Sequence, residues 1–211
     1  MKEITEQQLN AMLEHCEVLE EDSRGTKVAR LKNGDLIKIF RPRRKLWLNR
    51  LKPQNQRFAE NAKTLERLGV ITPKIQELFW TNRKIAECAC IYSPIKGQAL
   101  ISTFQKSPDL LKENLIHIAT FIASLHNRGI YFRSLHLGNI IQTPKNEYGL
   151  IDFLDLKIQK KPLSRYKTQR NLKHFKRHLE RAGVEDFPWS FFTQLYAQAV
   201  SLSPPSRPPA T

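Results

Sequence analysis

The stretch from Gly129 to Asp155, GIYFRSLHLGNIIQTPKNEYGLIDFLD, sets polar side chains at the ends of short apolar runs. Asp152 closes the strand-like Gly149-Leu150-Ile151 and offers a charged oxygen. Asn139 precedes Ile140-Ile141 and offers a neutral amide oxygen. Hard oxygen ligands of this kind suit magnesium, and magnesium is a partner for phosphate. Phosphoryl transfer needs little more from a protein than metal ligands, cations for the phosphate oxygens and a group that orients the attacking hydroxyl. Arg133, Ser134 and His136 lie just before Asn139. His136 carries an imidazole whose unperturbed pKa is near neutrality, so it could orient or deprotonate a hydroxyl. It reads equally as a histidine that stabilises its own loop, and that reading is preferred. Ser134 brings a hydroxyl that is a poor base unless something activates it.

The elements that must hold these residues follow from periodicity and turn signals. Thr5 to Leu13 patterns as a short amphipathic helix, with Thr5 as N-cap and Leu9, Met12 and Leu13 on one face. Val18-Leu19, Val28 to Leu31 and Leu36 to Phe40 are strand-like. Asn33-Gly34 predicts a two-residue type I′ hairpin, in which both central residues need positive φ. The turn Ser23-Arg24-Gly25-Thr26-Lys27 could fold backbone N–H groups over a phosphate, Gly25 allowing close approach; an ordinary hairpin turn accounts for it as well. Lys38 sits inside an apolar strand and, taken alone, reads as a residue on its solvent face. Arg57 to Leu68 is predicted helical, ending at Gly69, and Ile75 to Trp80 and Ile85 to Tyr92 are predicted strands. Ser93-Pro94-Ile95-Lys96-Gly97 then divides a mostly strand region from a mostly helical one. Asp109 to Arg128 patterns as one helix, with Leu111, Leu115, Ile118, Ile122 and Leu125 in register and Gly129 at its end. His126, in its last turn, is assigned a structural role. Two further helices are expected, Ser164 to Arg181 with Tyr166, Leu172, Phe175 and Leu179 inward, and Pro188 to Leu202 with Trp189, Phe191, Phe192 and Tyr196 as core.

Phe132-Arg133-Ser134-Leu135 with Asn139, followed by Asp152-Phe153-Leu154, keeps the frame of the protein-kinase motifs H-R-D-L-x-x-x-N and D-F-G. The wording YFRSLHLGNII followed by LIDFLDLKI resembles the bacterial lipopolysaccharide-kinase group, the Kdo/heptose kinase clan, and within it the members called toluene tolerance proteins. The resemblance runs from about Val18 to Arg181. It is specific at Ile130 to Asp155 and loose at the glycine turn. It implies an α+β, two-lobed protein-kinase-like fold: an N-terminal helix over 1–17, a small antiparallel-sheet N-lobe over 18–92, a hinge over 93–97, a short helical C-lobe over 98–202 and a disordered Pro-rich tail over 203–211. It also implies ATP and Mg2+ as cofactors and a sugar–lipid of the envelope as substrate, met from the cytoplasmic side. By motif, Lys38 on the third strand carries over as a nucleotide-binding residue, and Asn139 and Asp152 as metal ligands; Gly25, without the full glycine-loop motif, is a further nucleotide-binding candidate. Glu60 carries over as the acidic partner of Lys38, with Glu66 as the alternative. The hinge backbone would hydrogen-bond an adenine, with Ile91 or Ile95 against its face. Three positions depart from the pattern: Ser134 stands for the catalytic Asp, Phe132 for the preceding His and Leu154 for the Gly after Asp-Phe. Little chain follows Asp155 in which a peptide-binding activation segment could form, so a protein substrate is not expected.

Composition bounds these readings. The 211 residues are 40% hydrophobic and 26% charged, a globular balance. The formal net charge is +15, which favours polyanionic partners. The charge is clustered: Arg41-Pro42-Arg43-Arg44-Lys45 is interleaved with Leu46, Trp47 and Leu48, and Lys157 to Arg181 holds ten Lys or Arg against one acid, Glu180. Both clusters suit an anionic inner-membrane surface or phosphates, and both suit a solvated face. The N-terminus has charges where a signal peptide has an apolar run, which together with the implied activity points to the cytoplasm. Cys88 and Cys90 alternate with Ala89 and are expected on one buried face rather than on zinc. Three functions compete. A phosphotransferase with an altered catalytic loop comes first and a pseudokinase that binds nucleotide without turnover second. A nucleic-acid-binding protein ranks last, because no recognised nucleic-acid motif accompanies the basic stretches.

Overall fold

Strand-forming residues gather in the first half of the chain and helix-forming residues in the second, and the computed structural model is accordingly an α+β protein. It describes residues 1–184 and 187–202. Internal contacts divide the chain into two units, one ending at Ile95 and one beginning at Lys96. The Pro-rich stretch 203–211, expected to be disordered, lies outside the described residues, as does the side chain of Leu111.

The first unit runs β1 (Lys2–Glu3), α1 (Glu6–Leu13), β2 (Glu17–Asp22), β3 (Gly25–Arg30), β4 (Leu36–Phe40), α2 (Leu46–Leu51), α3 (Gln54–Arg67), β5 (Lys74–Asn82) and β6 (Glu87–Ser93). Its strands form one sheet in the order β1-β5-β6-β4-β3-β2, antiparallel except where β1 runs parallel to β5. Thr5 and Gln8 close a reciprocal capping box on α1. Alternation in the strands sorts the two faces. Ala29, Ile37, Ile39, Phe79 and Ala89 join Ile4 in a core against which Leu9, Met12 and Leu13 of α1 pack. Lys38 and Phe40 point the other way, where Phe58 of α3 tilts against Phe40 at 5.7 Å and Tyr92 at 6.0 Å. Asn55, buried at the start of α3, donates its amide to the carbonyls of Phe79 and Ala89 and so ties the helix to the β5–β6 pair. Cys88 and Cys90 are buried as expected, and burial pushes their thiols up to about 11 and about 12.

Two local expectations are corrected here. Asn33-Gly34 is not a type I′ pair. Gly34 has φ +87° but Asn33 does not have positive φ. Gly34 N–H donates to the Leu31 carbonyl, and Leu31 N–H donates to that of Asp35. This is a three-residue loop with its left-handed residue last, a shape fixed by Asn33 Oδ1 accepting from Asp35 N–H. Helix α3 starts at Gln54 rather than Arg57, because Pro53 fits the position before a first turn.

The second unit runs β7 (Gln98–Ala99), α4 (Leu100–Lys106), α5 (Pro108–Glu113), α6 (Leu115–Asn127), β8 (Ile130–Tyr131), a 3-10 turn (Leu137–Asn139), β9 (Ile140–Gln142), β10 (Tyr148–Leu150), β11 (Lys157–Ile158), α7 (Arg165–Arg181) and α8 (Trp189–Leu202). Two small sheets, β10-β9-β7 and β11-β8, carry the loops among the helices. The single helix expected over 109–128 is two helices. Asn114 interrupts it by donating its side-chain amide to the Leu110 carbonyl while its own carbonyl begins α6. Leu115, Ile118, Ile122 and Leu125 are buried in α6. Ser164 caps α7, whose buried stripe is Asn171, Phe175 and Leu179. Tyr166 and Phe191, both expected to face the core, are 71% and 53% exposed. They fall off the inward stripes of their helices once the register is set by Phe175 and Phe192.

Gly129 does more than end α6. Its φ is +74°, and a Cβ there would lie 2.2 Å from the Gln159 carbonyl oxygen and 2.5 Å from that of Lys161. The segment after β11 crosses directly over it, with Gln159 N–H donating to the Gly129 carbonyl. Gly183 has a similar φ of +68° but open space around it. Gly129→Ala is therefore expected to cost at least ~2 kcal/mol, and Gly183→Ala only ~1 kcal/mol, the left-handed penalty alone. Urea unfolding of the two variants checks this; equal losses would mean that the crossing segment moves aside freely.

Candidate functional site

A buried hydrogen-bond chain fixes the loop that holds the candidate residues. Asn171 of α7 donates its amide to the Phe132 carbonyl at 2.7 Å. Its oxygen is thereby turned to His126 Nε2, 3.1 Å away, and His126 Nδ1 lies 2.7 Å from Tyr196 Oη of α8. One tautomer satisfies all three groups: His126 Nε2–H donates to Asn171, and the Tyr196 hydroxyl donates to Nδ1. Helices α6, α7 and α8 thus meet at the residue preceding Arg133 and Ser134. Phe132 itself is buried, as is Phe153.

From this anchor the loop places its polar groups in sequence. Asn139, buried, donates Nδ2 to the Ser134 carbonyl at 2.9 Å, so its amide oxygen is the atom that a cation would use. The Asn139 carbonyl accepts from Ile151 N–H at 3.0 Å, which brings the residue before Asp152 against it. Asp152 has φ +53°, a left-handed conformation that costs a non-glycine residue ~1–2 kcal/mol. Strain of that kind persists where surrounding structure imposes it, and it collects at functional positions. His136 Nδ1 accepts from Gly138 N–H at 3.1 Å, capping the 3-10 turn, and its ring stacks on His178 at 3.8 Å. Burial and His178 push its pKa down to about 4, against the opposing pull of Asp152. With Nδ1 accepting, the neutral ring carries its proton on Nε2. It is a donor at that atom, which agrees with the preferred loop-stabilising reading and not with a base.

A carboxylate from downstream meets Ser134. Ser134 Oγ donates to Asp155 Oδ2 at 3.0 Å, and Asp155 Oδ1 is buried with no hydrogen-bond partner. Asp155 was signalled in the sequence only by its place three residues after Asp152. Asn171, on α7, had no sequence signal, since its role depends on which side of that helix is buried. Arg133 is exposed on the same loop.

The other candidates belong to the first unit. Lys38 is 6% exposed and its ammonium lies over the rings of Phe40 and Phe58, at 5.8 and 5.6 Å. The sheet is covered on both faces, so the solvent-facing reading of this lysine fails. Glu60 is exposed and pairs with Lys52 Nζ at 2.9 Å; its expected role toward Lys38 has no support here. Glu66 is also exposed. Gly25, φ +99°, has open space where a side chain would be, and follows the two-residue turn Ser23-Arg24. Asp22 accepts from Arg24 N–H, which with the charges of Arg24, Arg41 and Arg43 holds its carboxyl below the usual range.

Among the described residues no group of three or more His, Cys, Asp or Glu side chains could hold a metal alone. Asp152 and Asn139 give one carboxylate and one amide oxygen. That donor set fits magnesium that keeps waters and shares phosphate oxygens, not a closed protein cage.

The buried His126 makes stability depend on pH. Burial pushes its pKa down to about 4 from an ordinary 6.5. Between those values the unfolded chain binds the proton that the folded chain refuses, so stability is lost as pH falls through that window, by roughly 3 kcal/mol at most. The urea midpoint is expected to drop between pH 7 and pH 4.5, and His126→Gln to flatten that dependence; an unchanged slope would remove His126 from it. No protein-family model matches the chain, and no curated protein matches it significantly.

Proposed function

We propose that the protein is a two-lobed, kinase-like phosphotransferase of cell-envelope metabolism, acting on a lipid-linked sugar such as the lipopolysaccharide core with ATP and magnesium. The observation that carries the reading is the Ser134–Asp155 pair, bonded through the loop to Asn139 and adjoining the strained Asp152. Bound as its magnesium complex, ATP would supply the transferable phosphoryl group. In the second unit, Asp152 and Asn139 would give the oxygen ligands for the metal. Ser134 cannot act as a base by itself. Its hydroxyl fixes one oxygen of Asp155, which puts a carboxylate beside Ser134 as the base for the acceptor hydroxyl. Arg133 adds positive charge beside it.

The exposed end of the first unit supports contact with an anionic membrane surface. In α2, Trp47 and Leu51 are 64% and 77% exposed, next to Arg43, Arg44, Lys45 and Arg50. No helix among the described residues is long and apolar enough to cross a membrane.

The second reading is a pseudokinase, favoured by Ser134 itself and by a His136 that offers a donor. The two readings separate in one set of measurements. Millimolar Mg-ATP is expected to raise the melting temperature, and Asp152→Ala to abolish the rise. Transfer of labelled γ-phosphate to envelope glycolipids is expected to fall by at least ~100-fold in Asp155→Asn with nucleotide binding kept. Lys38→Ala is expected to stop transfer as well. Binding without transfer leaves the pseudokinase; no stabilisation by Mg-ATP sinks both.

A further inference from the structure

The second unit has a cationic cavity that the phosphotransfer reading shares only at Arg133. It measures about 430 Å³ and is lined by Tyr131, Arg133, Lys157, Tyr166, Lys167 and Arg170 among others. Three elements converge on it. Tyr131 and Lys157 are register partners in the β8–β11 pair, Arg133 follows β8, and Tyr166, Lys167 and Arg170 lie on the first turns of α7. The four cations face one space with no acid in the lining. Among the described residues Arg133, Lys157 and Arg170 make no ion pair.

The arrangement is held rather than loose. Gln159 donates its amide to the carbonyls of Lys161 and Pro162, which turns its oxygen to Lys167 Nζ at 2.5 Å. The Gly129 crossing fixes the same segment. On the neighbouring side of α7, a concavity of about 400 Å³ shares Tyr166 and Arg170 and adds Lys173 and Arg177. His174 feels the crowding: after burial, Arg170, Arg133 and Arg177 push its pKa down, with Asp155 alone opposing. Like charges gathered this closely repel, and a bound anion relieves them.

We propose that this cavity binds a ligand carrying two phosphoryl groups, with a flat or hydroxylated ring lying against Tyr131 and Tyr166. Four cations match the charge of two phosphates, arginine forks bind phosphate oxygens in pairs, and a space of this size takes a small ligand rather than a lone ion. The same chemistry is presented by a soluble bisphosphate and by a phosphorylated lipid headgroup.

Calorimetric titration of the full chain with inorganic pyrophosphate, without magnesium, tests the site. Vesicles of phosphatidylcholine with and without phosphatidic acid, followed by co-sedimentation, test the lipid source. Binding to either probe is expected to weaken about tenfold or more in the double variant Arg133→Gln/Arg170→Gln. The charge-matched variant Lys63→Gln/Lys84→Gln is expected to leave it unchanged, and Asp152→Ala to spare it, which separates this site from the nucleotide-binding reading. Thermal melting verifies that each variant is folded. Loss only with pyrophosphate assigns a soluble ligand, and loss only with vesicles assigns a headgroup. Absence of binding to both probes, or equal weakening in the two double variants, overturns the proposal.

Discussion

The second unit depends on one buried chain of hydrogen bonds, from Tyr196 through His126 and Asn171 to the Phe132 carbonyl. Each of these groups is removed from water, and each would cost on the order of 1–3 kcal/mol if left without a partner. The chain therefore does not slide: one tautomer of His126 and one orientation of the Asn171 amide satisfy it. Because its last acceptor is a backbone atom, it fixes the loop itself and not just a side chain. Ser134, Asn139, Asp152 and Asp155 are then positioned by short bonds from that point.

The same loop brings together polar groups that are distant in the chain. Position 134 carries a hydroxyl, and that hydroxyl holds a carboxylate from position 155. His136 meanwhile has both its face and its Nδ1 engaged, by His178 and Gly138. His136 is thus structural by geometry, and Asp155 has an unpaired buried oxygen. Lys38 makes the complementary point in the first unit, where two covered sheet faces turn an apparently solvent-facing lysine inward over two aromatic rings.

Much of the architecture was legible because it rests on local rules. Thr5 and Ser164 cap the helices that their types predict, Cys88 and Cys90 share a buried face, and the strand alternation around Lys38 is real. The errors arose where side chains compete with the backbone. Asn114 breaks a helix whose apolar spacing is unbroken, and Asn33 redirects a turn whose dipeptide names another type. Tyr166 and Phe191 were misplaced because hydrophobicity ranks a residue without fixing the angular register of its helix.

By itself the sequence determined the α+β order of elements, the spacing of Ser134, Asn139 and Asp152 and the two basic clusters, because periodicity, caps and composition are properties of neighbouring residues. Only the tertiary structure decided that Asp155 meets Ser134, that Asn171 and His126 hold the loop, that Glu60 turns to Lys52, and that Arg133, Lys157, Lys167 and Arg170 share one cavity. Those pairings join residues that are distant in the chain, and their free energy depends on burial, which no local pattern encodes.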